Sequence, residues 1–118
     1  MVKLGKYSRS VSIIGVGCTP FMNTVADPET NGLTESELFG YAAIEAMKDA
    51  GISPKDIQFY VHGQAASVPT SDTASPNVYV NDWFGSHGLG SISIQQACST
   101  GYLALDIAAQ CVASGKFD

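Results

Sequence analysis

Polar and apolar residues alternate with a period of two across Ser91-Ile92-Ser93-Ile94-Gln95, which predicts a short strand with Ile92 and Ile94 on one side. Directly after it, Leu103, Ile107 and Cys111 recur at four-residue spacing, flanked by Ala104, Ala108 and Val112, and Gly115 follows as a stop. This predicts a helix, and the alanines around its apolar stripe predict burial on most sides. Between strand and helix the chain must turn sharply, with Cys98 at the corner and at the helix N-terminus.

Upstream, Val11 to Val16 is an apolar run broken by Ser12 and ended by Gly15 and Gly17, the pattern of a buried strand in a mixed or parallel sheet. Thr34-Glu35-Ser36-Glu37 reads as a capping box. Leu38, Ala42, Ala46 and Ala50, with Phe39, Ala43 and Met47 beside them, then form one helical stripe that stops at Gly51. Ser53 and Pro54 restart a short turn, and Phe59-Tyr60-Val61 is the next strand. Strand, helix, strand in this order implies a right-handed parallel crossover. Met22 to Gly32 and Ala65 to Pro76 are rich in turn formers and predict loops. Asn77 to Phe84 has near-helical spacing with Trp83 as a large anchor, which predicts a helix packed on the sheet or on a partner.

Composition narrows the class. With 118 residues, 45% hydrophobic and 14% charged, the chain has material for one modest core. A net charge of -5 with six Lys and Arg argues against a nucleic-acid surface, which would be basic. No apolar run approaches a membrane span, and Met1 to Ser10 lacks the apolar core of a secretory signal. Three widely spaced cysteines, Cys18, Cys98 and Cys111, do not suggest a disulfide framework and favour a reducing compartment such as the cytoplasm. With His62 and His87 they offer no C-x-x-C or H-x-x-H pair, so no metal site is expected. Gly15-Val16-Gly17 lacks the third glycine of a dinucleotide fingerprint, since Pro20 stands there.

The chemistry concentrates at Cys98. The first N–H groups of a helix have no intrahelical partner and carry the positive end of the helix dipole. A thiolate there is stabilised, with a pKa that can fall from about 8.5 into the range of roughly 3.5–7.5. The same N–H groups can serve as an oxyanion hole for a thioester formed on the sulfur. The competing reading is a buried structural cysteine, which is the reading preferred for Cys111 on the helix stripe. His62, at the carboxyl end of a strand, is either a site residue or a histidine hydrogen-bonded within the sheet edge; His87 reads as a loop residue.

Ala97-Cys98-Ser99-Thr100-Gly101, followed by Ala104-Leu105, Ala108-Ala109 and Gly115-Lys116-Phe117-Asp118, resembles the nucleophile segment of the thiolase superfamily. That pattern is a cysteine, a small residue, Ser or Thr and Gly, then an Ala-rich helix closing in Gly-x-x-Asp. The small-residue run is more similar to sterol-carrier-type thiolases and acetyl-CoA acetyltransferase-like proteins than to HMG-CoA synthases. Ser12 to Phe21 looks like the family's first strand and turn, and Ala42 to Ile57 with Val61-His62-Gly63 follows its order of helix and second strand.

The resemblance implies an α/β, thiolase-like layered fold, with residues 1–118 forming the first half of the N-terminal domain: a mixed sheet with a buried nucleophile helix. It implies that Cys98 is the catalytic residue of an acyltransferase acting on a coenzyme A thioester in lipid metabolism, by thiolysis or Claisen condensation of a 3-ketoacyl-CoA. No bound cofactor is implied, coenzyme A being part of the substrate. Family members place catalytic histidines and often a second cysteine in the carboxyl-terminal half, so no family role carries over onto His62. A second half or a partner chain in a homo- or hetero-oligomer would supply them.

Three other readings of the same residues stand beside this one. Ala97-Cys98-Ser99-Thr100-Gly101 is one residue away from a G-x-S-x-G elbow with Ser99 as nucleophile, but no histidine follows it in the chain. A non-catalytic thiolase-like subunit would pair through its sheet edge and helix. A component of a CoA-ester aldolase is the third.

Overall fold

The computed structural model describes residues 9–23, 25–65, 80–85 and 88–118. Helix α1 (Glu35–Ala50) opens where its spacing predicts. Glu37 N–H donates to the Thr34 hydroxyl at 3.2 Å and Thr34 N–H donates to the Glu37 carboxylate at 2.7 Å, which closes both halves of the capping box. Gly51 ends it in the left-handed region (φ 68°), its N–H returning to the Lys48 carbonyl and that of Ile52 to Met47. A 3₁₀ turn at Pro54–Asp56, in which Asp56 accepts the Ser53 N–H at 2.8 Å, leads into strand β1 (Phe59–Gly63).

Strand β2 (Gly90–Ile94) pairs with β1 in parallel, in a register running from Phe59↔Gly90 to Gly63↔Ile94. Helix α2 (Thr100–Ala113) follows. Because side chains alternate along a strand, β1 divides its residues between two helices. Tyr60 and His62 face α1, their rings 5.0 and 5.8 Å from that of Phe39. Gly63 faces α2, where a Cβ would stand 3.0 Å from Thr100 Cγ2 and 3.1 Å from Ala104 Cβ. The result is a layered α/β arrangement with a parallel pair of strands at its centre.

The core lies on the α1 side. Met47, Tyr60, Val80, Phe84 and Leu89 are buried together, with Phe39, Ala43, Ile44, Ile52 and Ile57 packed against them. Asn81–Phe84 forms a 3₁₀ turn at the end of the expected 77–84 helix, whose residues 77–79 lie outside the described ones. Trp83 is the anchor anticipated: a Cβ on Gly40 of α1 would run into its indole, and Tyr41 lies 6.0 Å away. At the other end of the sheet Phe117 stacks on Phe59 at 4.8 Å, and Asp118 donates its N–H to Gln58 Oε1 at 3.1 Å while its carboxylate pairs with Arg9 at 2.7 Å. Cys111 is half-buried beside Ala108, Val112 and Val61, consistent with a packing role. Asn23 and Asp27 cap their own turns in the 22–32 loop, accepting the N–H groups of Val25, Ala26 and Glu29. His87 and residues 66–76 of the second expected loop lie outside the described residues. No helix among the described residues is long and apolar enough to cross a membrane.

Two expectations need correction. Val11 to Val16 is not a strand. It runs as irregular extended chain across α1, with Ile13, Ile14 and Val16 between 66% and 69% exposed. What holds it is close backbone approach: a Cβ on Gly15 or Gly17 would collide with the carbonyl oxygens of Ala46 or Ala42, and Val16 N–H donates to Asp49 at 3.0 Å. The nucleophile helix is also less buried than its alanine content suggested. Its small residues do pack closely on β1, but Tyr102 and Leu105 on its other face are 76% and 53% exposed, because no described element covers them.

Two glycine substitutions separate close packing from open space. Gly40→Val is expected to lower unfolding stability by roughly 1–3 kcal/mol through overlap with Trp83. Gly101→Ala, whose Cβ meets nothing within 4 Å, is expected to raise it by about 0.5–1 kcal/mol through helix propensity. Urea denaturation of both variants checks the pair, and equal shifts would contradict this packing.

Candidate active site

Strand β2 delivers the chain to a tight corner. After Ile94, Gln96 takes an unusual conformation (φ -146°, ψ 44°) and Ala97 has a positive φ of 46°. A left-handed alanine costs on the order of 1–2 kcal/mol, so the surrounding bonds must hold it. They converge on Thr100. Its hydroxyl accepts the Gln96 N–H at 2.7 Å and donates to the Ala97 carbonyl at 2.8 Å, while its side chain is buried against Gly63. Ser99 adds two bonds to the Gln96 carbonyl, from its N–H at 3.1 Å and its hydroxyl at 2.9 Å.

Cys98 is presented by this corner. It lies in the 3₁₀ turn Ala97–Ser99 that runs directly into α2, one residue before the helix N-cap Ser99, and it is exposed with a free thiol. The Ser99 hydroxyl is turned back to Gln96 and does not cap α2. The start of the helix is therefore left without that side-chain cap, next to the thiol.

His62 is placed elsewhere. It is buried on the α1 face of β1, opposite the face that receives α2, with its Nδ1 on the Tyr60 hydroxyl and its Nε2 at 3.4 Å from Gln64 Oε1. Of the two readings of this residue, the structure has the hydrogen-bonded one. Burial is the larger influence on its pKa and holds it below the ordinary 6.5, against opposing effects of the Gln64 bond and the Glu35 charge. Burial raises the Tyr60 pKa well above its ordinary range, which keeps that hydroxyl protonated. Cys18 is exposed in a cleft of about 330 Å³ formed with Thr30, Tyr41 and Glu45, apart from this corner. Among the described residues no group of three His, Cys, Asp or Glu could hold a metal ion.

Solved structures share this fold. Acetyl-CoA acetyltransferase from Syntrophomonas wolfei superposes with a TM-score of 0.73 at 24% identity, over 90% of this chain and 26% of that one. 3-Oxoacyl-[acyl-carrier-protein] synthase III from Aquifex aeolicus VF5 gives 0.64 at 29% identity, over 73% and 27%. The priming β-ketosynthase of the R1128 polyketide biosynthetic pathway gives 0.60 at 27%, over 76% and 25%. The chain has a thiolase-like fold. It spans about a quarter of the length of these thiolase-superfamily structures. No protein-family model and no curated protein sequence matches it.

Within this thiolase-like fold, sequence reasoning singled out Cys98 but not the residues that shape its corner. Thr100 stands out only as part of the motif, Glu35 only within the capping box and Gln95 only as a strand residue, and Gln64 carries no local signal of its own. A Ser-Thr pair just before a helix is the usual signal for side-chain-to-backbone bonds, and here Thr100 makes the more buried of them.

Two measurements test this geometry. Thr100→Val removes both bonds and leaves the Gln96 N–H and Ala97 carbonyl short of a partner, with an expected loss of roughly 1–3 kcal/mol in urea denaturation, whereas Thr100→Ser retains most of it. The pH dependence follows from His62. Because its folded pKa lies below 6.5, the unfolded chain takes up the proton first as the pH falls through that value, so stability is full above it and declines until the folded pKa is passed. Denaturation midpoints from neutral to mildly acidic pH should fall less in His62→Gln than in the parent chain.

Proposed function

We propose that residues 1–118 form the nucleophile-bearing first half of the N-terminal domain of a thiolase-type acyltransferase, with Cys98 as the acyl acceptor. The observation that carries this reading is the exposed Cys98 thiol on a strained strand-to-helix corner within a thiolase-like fold. A structural cysteine needs no such corner. The left-handed Ala97 conformation is maintained at an energetic cost, and conformations of this kind cluster at functional sites.

In the proposed step the Cys98 thiolate attacks the carbonyl carbon of an acyl thioester. A tetrahedral oxyanion forms, the bond from carbon to the departing sulfur breaks, and coenzyme A leaves as a thiolate that takes a proton from solvent or an acid. The product is an acyl group in thioester linkage to Cys98. The first N–H groups of α2 follow directly on Cys98, which suits them to stabilise the negative charge that develops on the carbonyl oxygen. Return of the acyl group to a second acceptor completes a ping-pong cycle. Thiolysis or condensation of a 3-ketoacyl-CoA then needs acid and base groups, and His62 is unsuited to supply them from the opposite face of the sheet. They belong to a second half or a partner chain, which would also cover Tyr102 and Leu105 on α2. The names of the similar structures support acyl transfer and condensation as the reaction class, and coenzyme A is the donor we favour among thioesters, in a reducing compartment such as the cytoplasm.

The test is incubation of the purified chain with acetyl-CoA at neutral pH followed by peptide mass spectrometry. The expected result is an added acetyl group on the Cys98 peptide, at least about tenfold above Cys18 and Cys111 and absent from Cys98→Ser. Equal labelling of all three cysteines in the folded protein would overturn the reading in favour of a non-catalytic subunit.

A further inference from the structure

The carboxyl ends of β1 and β2, from which the Cys98 corner springs, are joined by polar contacts that pass through Gln64 and Gln95. Gln64 N–H donates to the Ile94 carbonyl at 3.3 Å. Its side-chain amide donates from Nε2 to the Glu35 carboxylate at the start of α1 at 2.7 Å, and its Oε1 faces His62 Nε2. Gln95 Nε2 donates to the Ala65 carbonyl at 3.2 Å. Ile94 and Gln95 are the last residues before the strained turn.

The directions of these bonds are set from one end. The Glu35 carboxylate can only accept, so the Gln64 NH₂ must donate to it and Oε1 must turn to His62. Nε2 of His62 then carries the ring proton. Nδ1 is left with a lone pair and accepts from the Tyr60 hydroxyl. One neutral tautomer satisfies every member of the row. A second proton would turn Nδ1 into a donor, force the Tyr60 oxygen to accept, and leave the Tyr60 hydroxyl proton to find another partner inside the core.

We propose that Tyr60, His62 and Gln64 form a proton-sensitive positioning relay, which sets the Cys98 corner through the joined ends of β1 and β2. Its bearing on catalysis rests on the reading of Cys98 as the nucleophile. The groups that act on the ring are defined on each side among the described residues. Tyr60 comes from its own strand, Glu35 and the Phe39 ring from α1, and Ser93 stands at the paired position on β2. The Asn81–Phe84 turn contributes the Phe84 ring, which packs on Tyr60 and Phe39. Burial is the larger influence and holds the pKa of the ring below 6.5, while Glu35, the charged group among them, favours the protonated form, so protonation of His62 falls on the acid side of that value.

Hydrogen exchange by mass spectrometry on the full chain, from about pH 7.5 to about pH 5 and corrected for the chemical rate, reads the relay directly. The peptides containing Gln64 and Gln96 to Thr100 are expected to lose protection by roughly threefold or more below a one-proton midpoint under 6.5, while Ala42 to Ala50 of α1 does not. His62→Gln should abolish this step, and Tyr60→Phe, which removes one partner of the neutral ring, should move its midpoint upward. Protection of the corner that stays flat with pH, or that falls in step with α1, overturns the proposal. So does an exchange step with no matching change in the pH profile of Cys98 alkylation. Failure of acetyl-CoA to label Cys98 would count against the proposed function alone, since exchange and alkylation need no acyl donor.

Discussion

The contact between Thr100 and the backbone around it is the constraint on which the rest of the site depends. A left-handed alanine does not persist by its own preference, and Ala97 is held there by bonds to both of its sides that the Thr100 hydroxyl makes at once. Those bonds require the Thr100 side chain to be buried, and its burial requires α2 to lie against the end of β1. Gly63 makes that approach possible, because any side chain there would push Thr100 and Ala104 away. Strand end, strained turn and helix start are thus one unit, and Cys98 is displayed as a consequence of it.

The other face of β1 has a different character. Phe39, Tyr60 and Phe84 form a cluster of rings at 5.0 to 6.3 Å, and Met47, Val80 and Leu89 complete the core around it. Into this apolar layer β1 inserts two polar side chains, Tyr60 and His62, which satisfy one another and reach Gln64 and Glu35. Buried polar groups are tolerated when all of their donors and acceptors are paired, and a row of this kind has one arrangement that does so. It links the N-terminus of α1 to the end of β1 and, through the Gln64 backbone, to the end of β2.

The apolar surface is unevenly covered. Phe21, Tyr102 and the segment Ile13 to Val16 stand open while the layer between α1 and the sheet is closed. Exposed aromatic and aliphatic residues in this number favour burial against further protein. The thiolase-superfamily structures that share the fold are about four times the length of the matched portion.

Much of this fold was legible in the sequence because it is written in local chemistry. The Thr34 and Glu37 pair, the helix stop at Gly51, the strand around Ile92 and Ile94 and the helix from Leu103 to Cys111 each rest on signals within a few residues, and each element was found where it was expected. The thiolase-like pattern around Cys98 was legible for the same reason. What the tertiary structure alone decided depends on partners distant in the chain. Val11 to Val16 has the composition of a buried strand, yet a strand needs a free sheet edge, and the glycines in this segment instead let it settle on α1. The burial of α2 could not be read from its alanines, since burial belongs to whatever covers a helix and not to the helix itself. His62 has the same side chain whether it serves a reaction or a row of hydrogen bonds, and only the face of β1 on which it falls, with Tyr60, Gln64 and Glu35 converging there, made it the second.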